Sequence, residues 1–226
     1  MILKIIQFIR DIGFSVCHQI PQRTLLFGKI YMPICSRCSG IYIGFLVSII
    51  FLFLVFRKRE SDLPPTYVII CAAVFILSTI IDGILSYFGV YSTNNTARLI
   101  TGYSFGAGIA IIIYPIFIYQ YYHFSQRKKI FYNFKYFIYF LLTSLFFIII
   151  LLSSLPVLGN FFYYLNGIAV AFTFYFTNLI LILLIPFFAQ KAQKFLSRYI
   201  LLPSVIALSA TALELFITFK LHSLMR

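Results

Sequence analysis

The sequence predicts an all-α fold: a polytopic membrane helix bundle of about six transmembrane helices, with an N-terminal interfacial amphipathic helix. Composition, the lengths of the apolar runs and what interrupts them carry that reading. The 226 residues are 62% hydrophobic with a mean hydropathy of +1.00, and only 10% are charged. A soluble domain carries about 25% charged residues, so this chain is too apolar to be one. Several apolar runs approach or exceed the ~20 residues that a helix needs to cross a bilayer. The runs end at basic or Pro-containing segments. The net charge of +13 would suggest nucleic acid in a soluble protein. Here Lys and Arg gather at the ends of apolar runs, as topology signals and headgroup contacts do, so membrane lipids are the expected partners and nucleic acid is not. Tryptophan is absent, which leaves 17 Tyr and 28 Phe to supply any interfacial aromatic belt.

The first 16 residues form the amphipathic element. Lys4, Gln7, Arg10 and Asp11 recur at helical spacing, with Ile2, Ile5, Ile6, Phe8, Ile9 and Ile12 elsewhere on the wheel. Arg10-Asp11 interrupts the apolar run that a cleaved signal peptide would need. The first span is expected over 39–56, stopping at Arg57-Lys58-Arg59-Glu60. The second follows Pro64-Pro65 over 66–88, and the third covers 96–119 after the loop 89–95. The fourth covers 136–155 and turns at Pro156. The fifth, 161–188, is longer than the hydrocarbon core requires and is expected to tilt or bend before Pro186. The sixth covers 199–219. The whole chain, 1–226, reads as a single integral membrane domain, with 1–38 the interfacial helix and cysteine-containing segment and 39–226 the six-helix bundle.

Loop charges set the expected orientation. Arg57, Lys58 and Arg59, then Arg127, Lys128, Lys129 and Lys135, then Lys191, Lys194 and Arg198 lie in the odd-numbered loops. The opposing loops hold only Arg98 as a basic residue. The positive-inside rule places the odd loops in the cytoplasm and both termini outside. The basic residues ahead of span one, Lys4, Arg10, Arg23, Lys29 and Arg37, run against that assignment. Helix counting gives a second result that does not depend on it. The segment before span one, the end of span two and the start of span three share one membrane face, which receives Cys17, His18, Arg23, Cys35, Arg37, Cys38, Asp82, Asn94, Asn95, Arg98 and Thr101. Polar residues that recur in one small volume of an apolar protein form the default candidate site.

Cys17-His18 and Cys35-Ser36-Arg37-Cys38 carry the chemistry. A C-x-x-C pair is a spacing from which two sulfurs converge easily, and thiolates suit zinc. Four ligands from Cys17, His18, Cys35 and Cys38 would close the shell and make the metal structural. Adjacent Cys17 and His18 point apart in regular backbone, so one of them can stay out and leave an open, catalytic position. A redox reading uses Cys35 and Cys38 as the exchanging pair and Cys17 as the resolving thiol, with thiolate stabilised by a helix N-terminus and Arg37. The inert reading is a disulfide or zinc staple. Asp82, Arg98, Asn95 and Thr101 are the catalytic candidates: Asp82 as general base or ligand, unless it simply forms a salt bridge with Arg98. Arg23, Arg37, Asn94 and Arg98 are the expected binders of an anionic or amphiphilic small-molecule substrate. Gly102 and Gly106 in span three read as small residues that permit close helix packing. Cys71 and His123 read as inert, and Glu214 as a carboxylate needing a partner such as Thr211 or Thr218.

Cys17-His18-x-x-Pro21-x-Arg23, Cys35-x-Arg37-Cys38-x-Gly40-x-Tyr42-x-Gly44, Asp82-Gly83 and Ser92-Thr93-Asn94-Asn95-x-x-Arg98-x-x-Thr101-Gly102-x-x-x-Gly106 together resemble the membrane-protein family catalogued as domain of unknown function 2085. The resemblance covers roughly the first half of the chain. It implies a site and supplies no reaction. Three classes of function follow: a metal-dependent membrane enzyme, a membrane thiol-disulfide oxidoreductase, and a non-enzymatic transporter or scaffold in which the cysteines are a staple.

Overall fold

A computed structural model describes residues 2–56, 60–89, 92–193 and 197–225. Among these, six helices are long and apolar enough to cross a membrane. They are α2 (Ser36–Val55), α3 (Thr66–Tyr87), α4 (Asn95–Tyr121), α5 (Phe134–Ser153), α6 (Gly159–Leu183) and α7 (Leu201–Leu224). A shorter helix, α1 (Ile2–Val16), precedes them. The six spans are those expected, with shifted ends. α2 begins at Ser36, so Arg37 and Cys38 belong to its first turn instead of to a preceding loop. α6 ends at Leu183, well before Pro186, so that proline follows the span and does not bend it.

α2 and α4 form the centre of the bundle. Their contact is made of glycine pairs one helical turn apart. A Cβ at Gly40 would lie 2.5 Å from the Leu99 carbonyl oxygen, and one at Gly44 2.6 Å from that of Tyr103. From the other side, a Cβ at Gly102 would strike the Arg37 carbonyl and one at Gly106 that of Ile41. Lipid offers apolar side chains no hydrophobic drive to associate, so backbone approach through small residues is what holds such helices together. α3 packs on the outer side of α4, where a Cβ at Gly108 would lie 2.9 Å from the Ala72 carbonyl oxygen. Tyr103, Tyr114 and Tyr121 line the buried face of α4, and Phe45, Phe117 and Phe176 interlock between α2, α4 and α6. α3, α5 and α7 keep apolar faces exposed, for example Ile70, Leu142 and Leu208, as lipid-facing helices do.

The three odd-numbered loops meet at one end of the bundle. β3 (Glu60–Asp62) pairs in parallel with β4 (Gln126–Lys129), and Tyr122 bridges to Ala192. Arg57, Lys58, Arg59 and Lys194, named above as topology signals, lie outside the described residues.

At the opposite end the sequence reading missed a β-hairpin. β1 (Thr24–Phe27) pairs antiparallel with β2 (Ile30–Cys35) across the two-residue turn Gly28-Lys29. Gly28 has φ +62°, and its Cα packs against Pro156, where a Cβ would come within 2.9 Å of the proline ring. A Gly-x pair between two apolar runs is the hairpin signal that was available. α1 is docked against this end. Its Ile9 packs on Gly167 of α6, its Phe14 stacks edge-on against Phe219 of α7, and Tyr163 donates to the Ile6 carbonyl at 3.1 Å. Lys4, Gln7, Arg10 and Phe8 stay exposed.

Candidate functional site

The hairpin delivers Cys35 to the N-terminus of α2, where it is the N-cap residue, and Cys38 follows one turn later. Cys17 arrives from the other direction. Two residues on, Gln19 takes φ +54°, a left-handed conformation that costs free energy outside glycine. Its side-chain amide is tied to the carbonyls of Arg10 and Pro33, both at 2.8 Å, which fixes the turn. One sulfur each from Cys17, Cys35 and Cys38 then lie within 4.8 Å of one another. Cys17 is buried against Ile34 and Val170, with Tyr42, Phe174 and Leu215 around it. The cluster is therefore walled by α2, α6 and α7.

The three thiols share charge unequally. Hydrogen bonds from the Cys17 and Cys38 thiols, helped by the N–H groups of Cys38 and Arg37, pull Cys35 far below the ordinary thiol range, to about 2. Cys17 is pushed up, chiefly because it serves Cys35 as a donor and also because it is buried. Its own sulfur accepts the Cys35 backbone N–H at 3.3 Å. The arrangement favours a thiolate on Cys35 at the helix N-terminus, with Cys17 keeping its proton.

His18 does not join the sulfurs. Its ring is exposed and lies 5.0 Å from that of His222, whose Nδ1 donates to the Phe14 carbonyl at 2.7 Å. With Cys17 turned inward, the next residue faces out. His18 is therefore not part of the group that could hold an ion.

Asp82 sits in the last turns of α3, 4% exposed, and its partner differs from the one expected. Its ion pair is with Arg37, not Arg98. Arg37 gets there because α2 and α4 approach so closely at Gly102, and its guanidinium passes over Gly83, where even a Cβ would lie 3.8 Å from Nη1. Thr93 donates to Asp82 Oδ1 at 3.0 Å, and the Thr101 hydroxyl, whose nearest acceptor is the Ala97 carbonyl at 2.9 Å, lies 3.4 Å from Oδ2. Thr93 was quoted only as part of a motif, yet it is buried and makes the shorter of the two contacts with Asp82.

Arg98 is left without such a partner. It is 8% exposed, and its Nε is buried with no hydrogen bond among the described residues; the same holds for Arg37 Nε. Arg98 lies within electrostatic range of Arg23 and Arg37, which repel it, and of Cys35 and Asp82, which attract it. Asn94 is exposed and caps α4, its side chain accepting from the Ala97 N–H at 2.7 Å. Asn95 ties α4 to the chain before the hairpin, donating to the Gln22 carbonyl at 3.2 Å. Both asparagines thus have structural work to do. Of the residues that the sequence assigns to this face, Asp82, Arg37 and Thr101 come together, and Thr93 joins them.

The residues that build this end are the ones that comparison with known proteins picks out. The model of the family described as predicted membrane protein, DUF2085, matches residues 17–114. An uncharacterized protein of Methanothermobacter thermautotrophicus is 34% identical over 97 residues, which are 43% of this chain and 83% of that relative. The chain belongs to this family. A second uncharacterized protein, from Methanocaldococcus jannaschii, is 32% identical over 102 residues, 45% of this chain and 64% of the relative. No solved structure matches. The DUF2085 region runs from the first cysteine through the hairpin, α2, α3 and most of α4. It contains the three sulfurs, the Arg37–Asp82 pair, Arg98 and all four glycines of the α2–α4 contact. α5, α6 and α7 lie outside the match, although Val170 of α6 and Leu215 of α7 wall the cysteines.

Away from this end, Glu214 finds partners in the membrane-spanning region. Asn178 donates to its Oε2 at 2.8 Å and to Thr211 at 3.1 Å, joining α6 to α7. Cys71 is half-buried, and His123 is exposed with its Nδ1 3.1 Å from the Gln190 carbonyl.

Proposed function

We propose that this DUF2085 protein is a zinc-dependent membrane enzyme that acts on an anionic or amphiphilic substrate at the face carrying the cysteines, expected to be extracytoplasmic. One observation carries the proposal: three sulfurs from two distant chain segments within 4.8 Å. Tetrahedral zinc with Zn–S bonds near 2.3 Å separates its sulfurs by about 3.8 Å, so a slight contraction of the cluster accommodates the ion. The donor chemistry fits as well, since Cys35 offers a ready thiolate and the ion would displace the protons of the other two.

Cys17, Cys35 and Cys38 would hold the ion and leave its fourth position for water or substrate. A zinc ion in that setting supplies a Lewis acid and a water that deprotonates near neutral pH. The rest is done by the chain. Arg37 and Arg98 attract and orient the anionic group, and α6 and α7 exclude water from the side of Cys17. Asp82 is better suited to positioning than to proton transfer, because both its oxygens are engaged by Arg37, Thr93 and Thr101. It holds the Arg37 guanidinium in place.

Metal analysis of the purified protein, with thiol titration before and after chelation, tests the reading. One zinc per chain, with three thiols becoming reactive on chelation, is the expected result. A metal-free protein whose Cys35 and Cys38 cycle reversibly between dithiol and disulfide would make the family thiol oxidoreductases instead. A permanent disulfide would reduce the cysteines to a staple.

A further inference from the structure

We propose that Arg98, with Arg37 beside it, binds a phosphate-type oxyanion at the N-terminal end of α4. The inference narrows the anionic group of the proposed function. It rests on that reading for placing substrate at this end of the bundle, and on nothing about the metal.

A buried guanidinium without a partner is costly, and a membrane protein gains by supplying it an anion. Arg98 comes close to this case: the residue is 8% exposed and its Nε is buried and unsatisfied among the described residues, in the first turn of a long helix. Arg37 contributes a second buried and unsatisfied Nε from a different helix. The acidic side chain within reach, Asp82, is already bound to Arg37, Thr93 and Thr101. Arg23 adds a third cation within electrostatic range. Against these three stand Asp82 and, on the sulfurs, one net negative charge, either a lone thiolate or three thiolates around a divalent ion. A positive charge is left over.

The helix end adds directed donors. The Asn94 side chain takes the Ala97 N–H, and the Asn94 carbonyl takes that of Arg98. The N–H groups of Asn95 and Thr96 have no acceptor within the helix, as is usual for the first turn, and they carry the positive end of its dipole. Two guanidiniums on separate helices, together with a helix N-terminus, present donors from several directions. A carboxylate accepts mainly in its own plane, whereas a tetrahedral phosphate accepts from several directions, as donors on two helices and a helix end supply them. A lipid headgroup and free phosphate share that chemistry.

The test uses the full chain in phosphate-free detergent and follows its thermal unfolding. One arm adds inorganic phosphate; the other adds phosphatidic acid in mixed micelles, with diacylglycerol as its control. The expected result is a saturable rise in unfolding temperature with one or both phosphate probes and none with diacylglycerol. A response to inorganic phosphate identifies a free phosphate group as sufficient, and a response to phosphatidic acid alone identifies a lipid headgroup. R98Q should weaken binding at least tenfold and R98K should restore it only in part, because lysine lacks the fork. Wild-type protein that responds to neither probe overturns the inference, as does folded R98Q that binds like wild type. Zinc is measured on the same samples: phosphate binding without zinc leaves this inference standing and removes the metal reading, and zinc without phosphate binding does the reverse.

Discussion

Arg37 in the first turn of α2 is ion-paired with Asp82 in the last turns of α3, and the pair crosses the two helices that flank the start of α4. The side chains are 25% and 4% exposed, so the carboxylate is almost wholly removed from solvent while the guanidinium keeps one edge open. The pair fixes where the free edge of Arg37 points.

Breaking it should therefore be expensive. Removing one member of a buried pair costs about 3–5 kcal/mol, and the partial exposure of Arg37 puts the expected loss near the lower figure. D82N should lower the unfolding free energy in detergent by about that amount, and D82N/R37M should be more stable than D82N alone. Strictly additive effects of the two substitutions would mean that the pair is not coupled.

The glycines give a sharper contrast. G102A and G106A should each destabilise the bundle by about 1–3 kcal/mol or more, because a Cβ would drive into the carbonyls of Arg37 and Ile41. G83A is the control: it meets nothing closer than 3.8 Å, and alanine favours helix, so its stability should equal or exceed wild type. Thermal unfolding of the three variants side by side decides the matter. Equal effects would argue against backbone contact between α2 and α4.

The Cys35 thiolate has a spectroscopic signature. Its pKa lies far below the value of about 8.5 for a free thiol, so the charged form should persist as pH falls from about 8 to 5 in reduced, metal-stripped protein. Ultraviolet thiolate absorbance equal to roughly one group per chain is expected throughout that range, and C35S should lose it. Cys17 is shifted the other way and should contribute nothing until well above neutral pH. Absorbance that disappears by pH 6 would contradict the shared-charge arrangement.

The sequence made the bundle legible because a membrane span is recorded in composition: six apolar runs became six helices with ends moved by a few residues. Helix counting also assigned Asp82, Arg98 and the cysteines to one end without a structure. Pairing was not legible. Arg37 and Arg98 both lie near Asp82 in the topology, and the choice between them depends on the backbone approach at Gly102, which no charge pattern records. His18 shows the same limit, since the inward turn of Cys17 decides where its neighbour faces. The hairpin had only a weak local signal, Gly28-Lys29 between two short apolar runs, one of them interrupted by Pro33. The docking of α1 against α6 and α7 depends on Gly167, far away in the chain, and had no local signal.

Zinc-edge X-ray absorption on purified protein tests the central claim most directly. The account predicts about one zinc per chain with a first shell of three sulfurs near 2.3 Å and one lighter oxygen or nitrogen donor. C17S, C35S and C38S should each lower the sulfur count or abolish binding, and H18A should leave the spectrum unchanged. Protein without bound zinc, carrying instead a disulfide between any two of the three cysteines, would contradict it.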